Sequence, residues 1–118
     1  MATYTRVLLS GSTNGLPIPV VATATLGTTI HTAIAGTASF DEIYAWASNV
    51  TAADATLTIE WGSATDPGGH MIHAYTVPAN SPPIPIATGQ VLNNAKVMTA
   101  FSGTASAINI VGFVNRIV

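Results

Sequence analysis

The side chains best able to do chemistry are three histidines, five carboxylates and a scatter of serines. His70 and His73, with His31 as a third ligand, form the most tempting metal set. Zinc needs three or four converging N, O or S donors. On a strand, positions three apart face opposite ways, so this spacing predicts a loop histidine and a strand histidine with local hydrogen bonds, and no metal. Asp41, Glu42 and Glu60 are candidates for paired-carboxylate glycoside hydrolysis, which requires two carboxyls at a set separation. Adjacent strand residues point apart, so Asp41 and Glu42 cannot share a substrate. The pattern predicts a turn residue at Asp41 and solvated strand residues at Glu42 and Glu60. Asp66, in Asp-Pro-Gly-Gly, is a turn former. Ser, His and Asp are all present, but no Gly-x-Ser-x-Gly elbow raises a nucleophile. Gly11-Ser12 and Gly62-Ser63 lie in turn signals, and Gly68-Gly69 is too isolated to cradle a phosphate. The expectation is no catalytic residue, no cofactor and no enzyme, with a small hydrolase as the weaker alternative.

Trp46, Trp61, Tyr44 and Tyr75 are the candidate aromatic platform for a sugar. Trp61 shares its strand face with Leu57 and Ile59, which predicts a core role. Tyr44 and Trp46 share a face opposite Ile43, and one of those two faces looks outward or at a neighbouring subunit.

The totals narrow the field further. Only 7% of the 118 residues are charged, against about 25% in an ordinary soluble domain. Arg6, Lys96 and Arg116 cannot build the basic patch that phosphate neutralisation requires, so no nucleic-acid partner is expected. Mean hydropathy is +0.47, yet every apolar run breaks far short of the ~20 residues a membrane helix needs. No cysteine is present, which removes disulfides and thiolate sites. The N-terminal residues lack the pattern of a secretory signal, so synthesis in a cytosol is expected. Asn49-Val50-Thr51 fits a glycosylation sequon but then has no use. A surface of Thr, Ser, Ala and Asn is poorly protected against self-association, which predicts that much of it is buried against other chains.

The elements that must position these residues read as strands. Thr, Val and Ile dominate, and Gly and Pro punctuate throughout. The pattern predicts strands at Arg6 to Ser10, Pro17 to Thr25 and Thr28 to Ile34. Further strands fall at Asp41 to Asn49, Ala55 to Trp61 and Met71 to Val77. Ile84 to Thr88 and Val91 to Leu92 flank Gly89, and Lys96 to Phe101 and Ala107 to Val118 complete the set. Ala55 to Trp61 alternates Leu57, Ile59 and Trp61 with Thr56, Thr58 and Glu60, a period-2 pattern with one wet face. Gly112 is expected at a bend or bulge. Ile108, Ile110 and Val114 alternate with Asn109, Val111, Phe113 and Asn115, so the last strand is apolar on both faces and calls for a second cover. Eight or nine short strands predict one all-β domain over residues 1–118, an antiparallel β-sandwich of the jelly-roll kind. Residues 1–27 include a candidate extended arm. Leu16 to Pro19 and Pro78 to Pro85 are proline-stiffened stretches suited to docking.

The run Val7-Leu8-Leu9-Ser10-Gly11-Ser12-Thr13-Asn14-Gly15-Leu16-Pro17-Ile18 resembles the start of small structural proteins of tailed bacteriophages. So do Thr29-Ile30-His31-Thr32-Ala33, Asp41-Glu42-Ile43-Tyr44, the hairpin strand Thr56 to Gly62 and the close Ile108 to Ile117. The resemblance covers most of the chain and carries no catalytic residues. It implies a capsid decoration (cement) protein on the virion exterior, made in the bacterial host cytoplasm. Such a protein is a homo-oligomer, commonly a trimer, seated on the major capsid protein. A neck or tail position and a carbohydrate-binding β-sandwich module are the alternatives. The expected contact residues are Leu16, Pro17, Ile18, Pro19, Tyr44, Trp46, Pro82, Pro83 and Phe113.

Overall fold

The computed structural model describes residues 2–63, 65 and 68–118. Asp66 and Pro67 of the expected turn lie outside them. The described residues form nine strands and no helix: β1 Tyr4–Leu8, β2 Ile18–Pro19, β3 Thr28–Thr32, β4 Phe40–Asn49, β5 Ala55–Trp61, β6 His70–Val77, β7 Ile84–Leu92, β8 Val97–Ser102 and β9 Ile108–Ile117. All pairings are antiparallel, and the strands build two sheets of a β-sandwich. One sheet runs β1-β9-β4-β7, with β2 also on β9; the other runs β3-β8-β5-β6. β1 and β2 lie end to end along the same edge of β9. The pairs β1·β9, β3·β8, β4·β7 and β5·β6 are nested, so the chain folds back on itself about the β5–β6 connection.

The alternation decides which face is core. Ile43, Ala45 and Ala47 of β4 and Ile108, Ile110 and Val114 of β9 are fully buried. They meet Leu57 and Ile59 of β5 and Met98 and Ala100 of β8 from the other sheet. Tyr44 and Trp46 therefore face outward, half-buried.

Several details depart from the sequence expectation. Thr58 and Glu60, read as wet, are both buried, because other segments cover that face. β7 runs unbroken through Gly89, which sits in a bulge between the Ile43 and Tyr44 partners with a φ of 104°. The prolines of Pro17 to Thr25 leave only a two-residue strand. Ile18, expected at a contact surface, is buried together with Val20. It anchors the stretch to β9, while Leu16, Pro17 and Pro19 stay exposed. Pro82 and Pro83 are also exposed. The segment before them is pinned by Asn80 N–H to the Thr51 carbonyl and Ala79 N–H to the Asp54 carboxylate.

Gly112 marks no bulge. β9 pairs with β4 from Phe40↔Ile117 to Asn49↔Ile108 without a register shift. A Cβ on Gly112 would instead strike the Tyr44 carbonyl and come within 2.9 Å of the Ala45 Cα, both rigid backbone. Gly112→Ala is therefore expected to destabilise the fold by about 1–3 kcal/mol through overpacking. Urea unfolding measures this, and an unchanged midpoint would contradict the close approach.

Candidate functional site

Four ionisable residues fall in two clusters around buried carboxylates, Arg116 and His31 on Asp41 in one and Glu60 with neutral donors in the other. Asp41 opens β4 on its inward side, opposite Arg116 of β9. Arg116 donates from Nε to Oδ1 at 2.8 Å and from Nη2 to Oδ2 at 2.9 Å, the planar two-point fit a guanidinium offers a carboxylate. His31 of β3, in the other sheet, donates from Nε2 to Asp41 Oδ2 at 2.7 Å. The Ile34 N–H reaches the same oxygen at 3.1 Å. The tautomer follows from the other ring nitrogen. Nδ1 accepts the Ser10 N–H at 3.0 Å, so the ring proton sits on Nε2 and the ring is neutral. Burial holds the His31 pKa below its ordinary value despite the opposing pull of Asp41. Burial alone would raise the Asp41 carboxyl, but the hydrogen bonds from Arg116 and His31 more than offset it and hold it low.

Ser10, His31 and Asp41 thus come together in space, as a nucleophilic triad would, but with the wrong connections. A working triad has the base nitrogen on the serine hydroxyl. Here that nitrogen takes the Ser10 backbone N–H, and the Ser10 Oγ accepts the Thr32 N–H at 2.6 Å. The imidazole is also fully buried, out of a substrate's reach. Asp41, expected in a turn, is the most heavily bonded carboxylate of the two sheets.

Glu60 forms the second cluster. Its Oε1 accepts the Gly27 N–H at 2.8 Å and the Thr99 hydroxyl at 2.6 Å, and its Oε2 accepts the Thr25 hydroxyl at 2.9 Å. Thr25 and Gly27 thereby cover the Glu60 carboxylate on the outer face of the four-stranded sheet. Burial pushes the Glu60 carboxyl up, and the bonds from Thr99, Gly27 and Thr25 outweigh that and hold it low. Glu42 stays half-buried on the outer face of β4, so none of the three carboxylates faces another across a substrate cleft.

His70 and His73 do not point apart as strand spacing predicts. β6 carries two register shifts against β5, and Ala74 takes a φ of 48°. The bulges turn the two rings onto one side, stacked, with their Nδ1 atoms 2.9 Å apart. His31 lies on β3, at the opposite edge of that sheet. Among the described residues no three His, Cys, Asp or Glu side chains converge as a metal site would need. Asn49 is buried and donates its Nδ2 to the carbonyls of Ala53 and Val77, so the sequon amide is committed to the β4–β5 turn.

The four candidate platform aromatics divide among three places. Trp61 sits half-buried at a sandwich edge, with Nε1–H on the Val91 carbonyl at 3.3 Å. Tyr75 borders a shallow groove with Ile72, Ile84, Pro85 and Ile86 between β6 and β7. Tyr44 and Trp46 join Phe113 at the centre of the outer face of the five-stranded sheet. Tyr44 stacks on Phe113 with centroids 5.0 Å apart, and Trp46 leans on it at 6.2 Å. The Arg6 guanidinium lies 4.4 Å over the Phe113 ring. Leu8, 53% exposed, lies beside Phe113 in the register.

The charge deficit now has a structural form. The accessible surface is 5854 Å², the roughly 6,000 Å² expected for a chain of this mass. Asp41 and Glu60 are inside, and Arg116 is bound to Asp41. Among the described residues only Arg6, Glu42, Asp54 and Lys96 remain to charge that surface. No family model, curated protein or solved structure matches the chain.

Both clusters make stability depend on pH with the same sign. Asp41 and Glu60 have depressed pKa values, so their contribution is present above the unfolded carboxyl range near about 4 and is lost as pH falls below it. His31 is held neutral, so stability already declines as the unfolded histidine protonates below about pH 6.5. Denaturant unfolding from pH 8 to 3 should show both steps, with His31→Gln flattening the upper one. A profile unchanged by that substitution would contradict the assignment. Asp41→Ala strands His31, the Ile34 N–H and Arg116 together, and is expected to cost about 3–5 kcal/mol by the same assay.

Proposed function

We propose that this chain is a structural virion protein, a homo-oligomeric capsid decoration (cement) protein seated on the major capsid protein at the head exterior. The observation that carries this reading is the outer face of the five-stranded sheet. Tyr44, Phe113, Trp46 and Leu8 form an aromatic and aliphatic centre, with the Arg6 guanidinium laid over Phe113 and Glu42 further along β4. Contact surfaces are enriched in aromatic residues and arginine. The resemblance of most of the chain to small structural proteins of tailed phages supplies the class of partner. The nested strand pairing supports the jelly-roll part of the reading. If β1 and β2 count as one interrupted strand, eight strands wind into two four-stranded layers, as a jelly roll requires. Many weak, flat contacts repeated over a shell give avidity without any charge-steered site. The same face would serve at a neck or tail, where copy number would differ.

The half-buried aromatic row on the outer face also favours a second reading, a carbohydrate-binding module. Against it, the Phe113 ring is already occupied by Tyr44 and by the Arg6 guanidinium, which leaves little free aromatic face for a sugar.

Sedimentation of phage particles from a lysate containing this chain tests the proposal. The chain is expected to travel with heads in a fixed, high ratio to the major capsid protein. The folded variant Tyr44→Ala/Trp46→Ala/Phe113→Ala is expected to stay in the supernatant. A chain that never sediments with particles would sink the proposal. A small fixed number per particle would move it to the neck or tail, and quenching of Trp fluorescence by a glycan would favour the module.

A further inference from the structure

A β-sandwich of two open sheets has four edges, and each is a template for another strand unless blunted. Three are blunted here. β3 has a bulge between Thr29 and His31, and its free side is covered by Gly11 N–H to the Ile30 carbonyl and by the Ser10 hydroxyl on Thr32 N–H. β6 has two register shifts and a residue with positive φ. β7 has two shifts and Pro85. β1 differs: it pairs with β9 from Tyr4↔Ile117 to Leu8↔Phe113 with no shift, and it contains no proline.

The hydrogen-bond phase of β1 is fixed by its neighbour. Thr3 and Val118 exchange both backbone bonds, at 2.7 and 3.0 Å. Antiparallel bonding alternates along a strand, so Thr5 and Val7 also turn their N–H and C=O towards β9. Tyr4, Arg6 and Leu8 therefore aim theirs at the free edge. β9 is the one strand that pairs with β1 among the described residues. Tyr4 is 69% exposed, and Leu8 is also mostly exposed, so much of both side chains is left uncovered by the described residues.

We propose that this edge is a two-fold junction at which β1 pairs antiparallel with β1 of a second copy, joining two five-stranded sheets into one. A two-fold contact uses the same patch on both partners, so one regular edge suffices and the three blunted edges need not take part. The phase and the charge select the register. Edge-directed residues must face edge-directed residues, so Tyr4, Arg6 and Leu8 meet one another. Arg6 opposite the second Arg6 would set like charges directly across the junction, which is unfavourable. A shift of two residues places Thr5 opposite the second Thr5 and Tyr4 opposite the second Arg6, a cation against an aromatic ring. Ala2 then faces Leu8, and the apolar outer face continues across the junction from Phe113 and Leu8. This contact does not depend on the virion reading. It builds dimers, or couples larger rings in pairs, so the assembly holds an even number of chains.

The chain has no cysteine, so single cysteines report the register cleanly. In a narrow, non-hydrogen-bonded pair the Cα atoms are about 4.5 Å apart, within disulfide reach. Thr5→Cys is expected to give a disulfide-linked dimer under mild oxidation, much faster than the exposed control Val50→Cys. Arg6→Cys is expected to lag behind Thr5→Cys. Light scattering of the unmodified chain should give an even multiple of 12.0 kDa. Arg6→Pro removes an edge-directed N–H without touching a bond to β9, and is expected to halve that mass with an unchanged circular dichroism spectrum. A monomeric or odd-numbered native mass, or Thr5→Cys no faster than the control, would overturn the junction. Faster linkage through Arg6→Cys would overturn the register.

Discussion

A carboxylate taken wholly out of water has to be surrounded by donors, and Asp41 draws its donors from both sheets. Arg116 holds it across β4 and β9, while His31 and the Ile34 N–H reach it from β3 and the loop that follows. Removing one partner of such a group leaves the rest desolvated and unpaired, so the cluster tolerates only one arrangement of the strands it joins. It sets β3 against β4 at one end of the sandwich. His31 in turn takes the Ser10 N–H, so the chain leaving β1 is tied to the same point. The outer face and the free β1 edge are held in place from this inner clamp.

Most of the fold is legible in the sequence because period-2 alternation is strong where it matters. The Ile43, Ala45, Ala47 face and the Leu57, Ile59 face are core as their spacing predicts. The inward charge pair left a signal too. Asp41 shares its parity with Ile43 and Ala45, and Arg116 with Ile110 and Val114. A charge on the apolar phase of a strand implies a buried partner, and reading Asp41 as a turn residue missed it. Glu60 left no such signal. It lies on the threonine phase of β5, and its cover comes from Thr25 and Gly27, remote in sequence. The stacking of His70 and His73 was equally hidden, because bulges in β6 break the alternation that strand spacing assumes.

The same accounting changes what the low charge means. Among the described residues the carboxylates do not converge on one another, and two of the chain's five, Asp41 and Glu60, lie inside, each enclosed by donors. The surface is left with an ordinary area and few charges to cover it. Its aromatic centre lies on the outer face of the five-stranded sheet. That face borders the one regular strand edge, so the proposed lateral contact between copies and the proposed flat contact with a larger partner lie side by side, meeting at Leu8 and Arg6.

The central claim is that this outer face is contact surface. Hydroxyl-radical footprinting of the chain, free at high dilution and then in its native assembly, tests it most directly. The account predicts strong protection of Tyr44, Trp46 and Phe113 in the assembly, with Tyr75 labelled equally in both states. Equal labelling of Tyr44, Trp46 and Phe113 in the two states would contradict it.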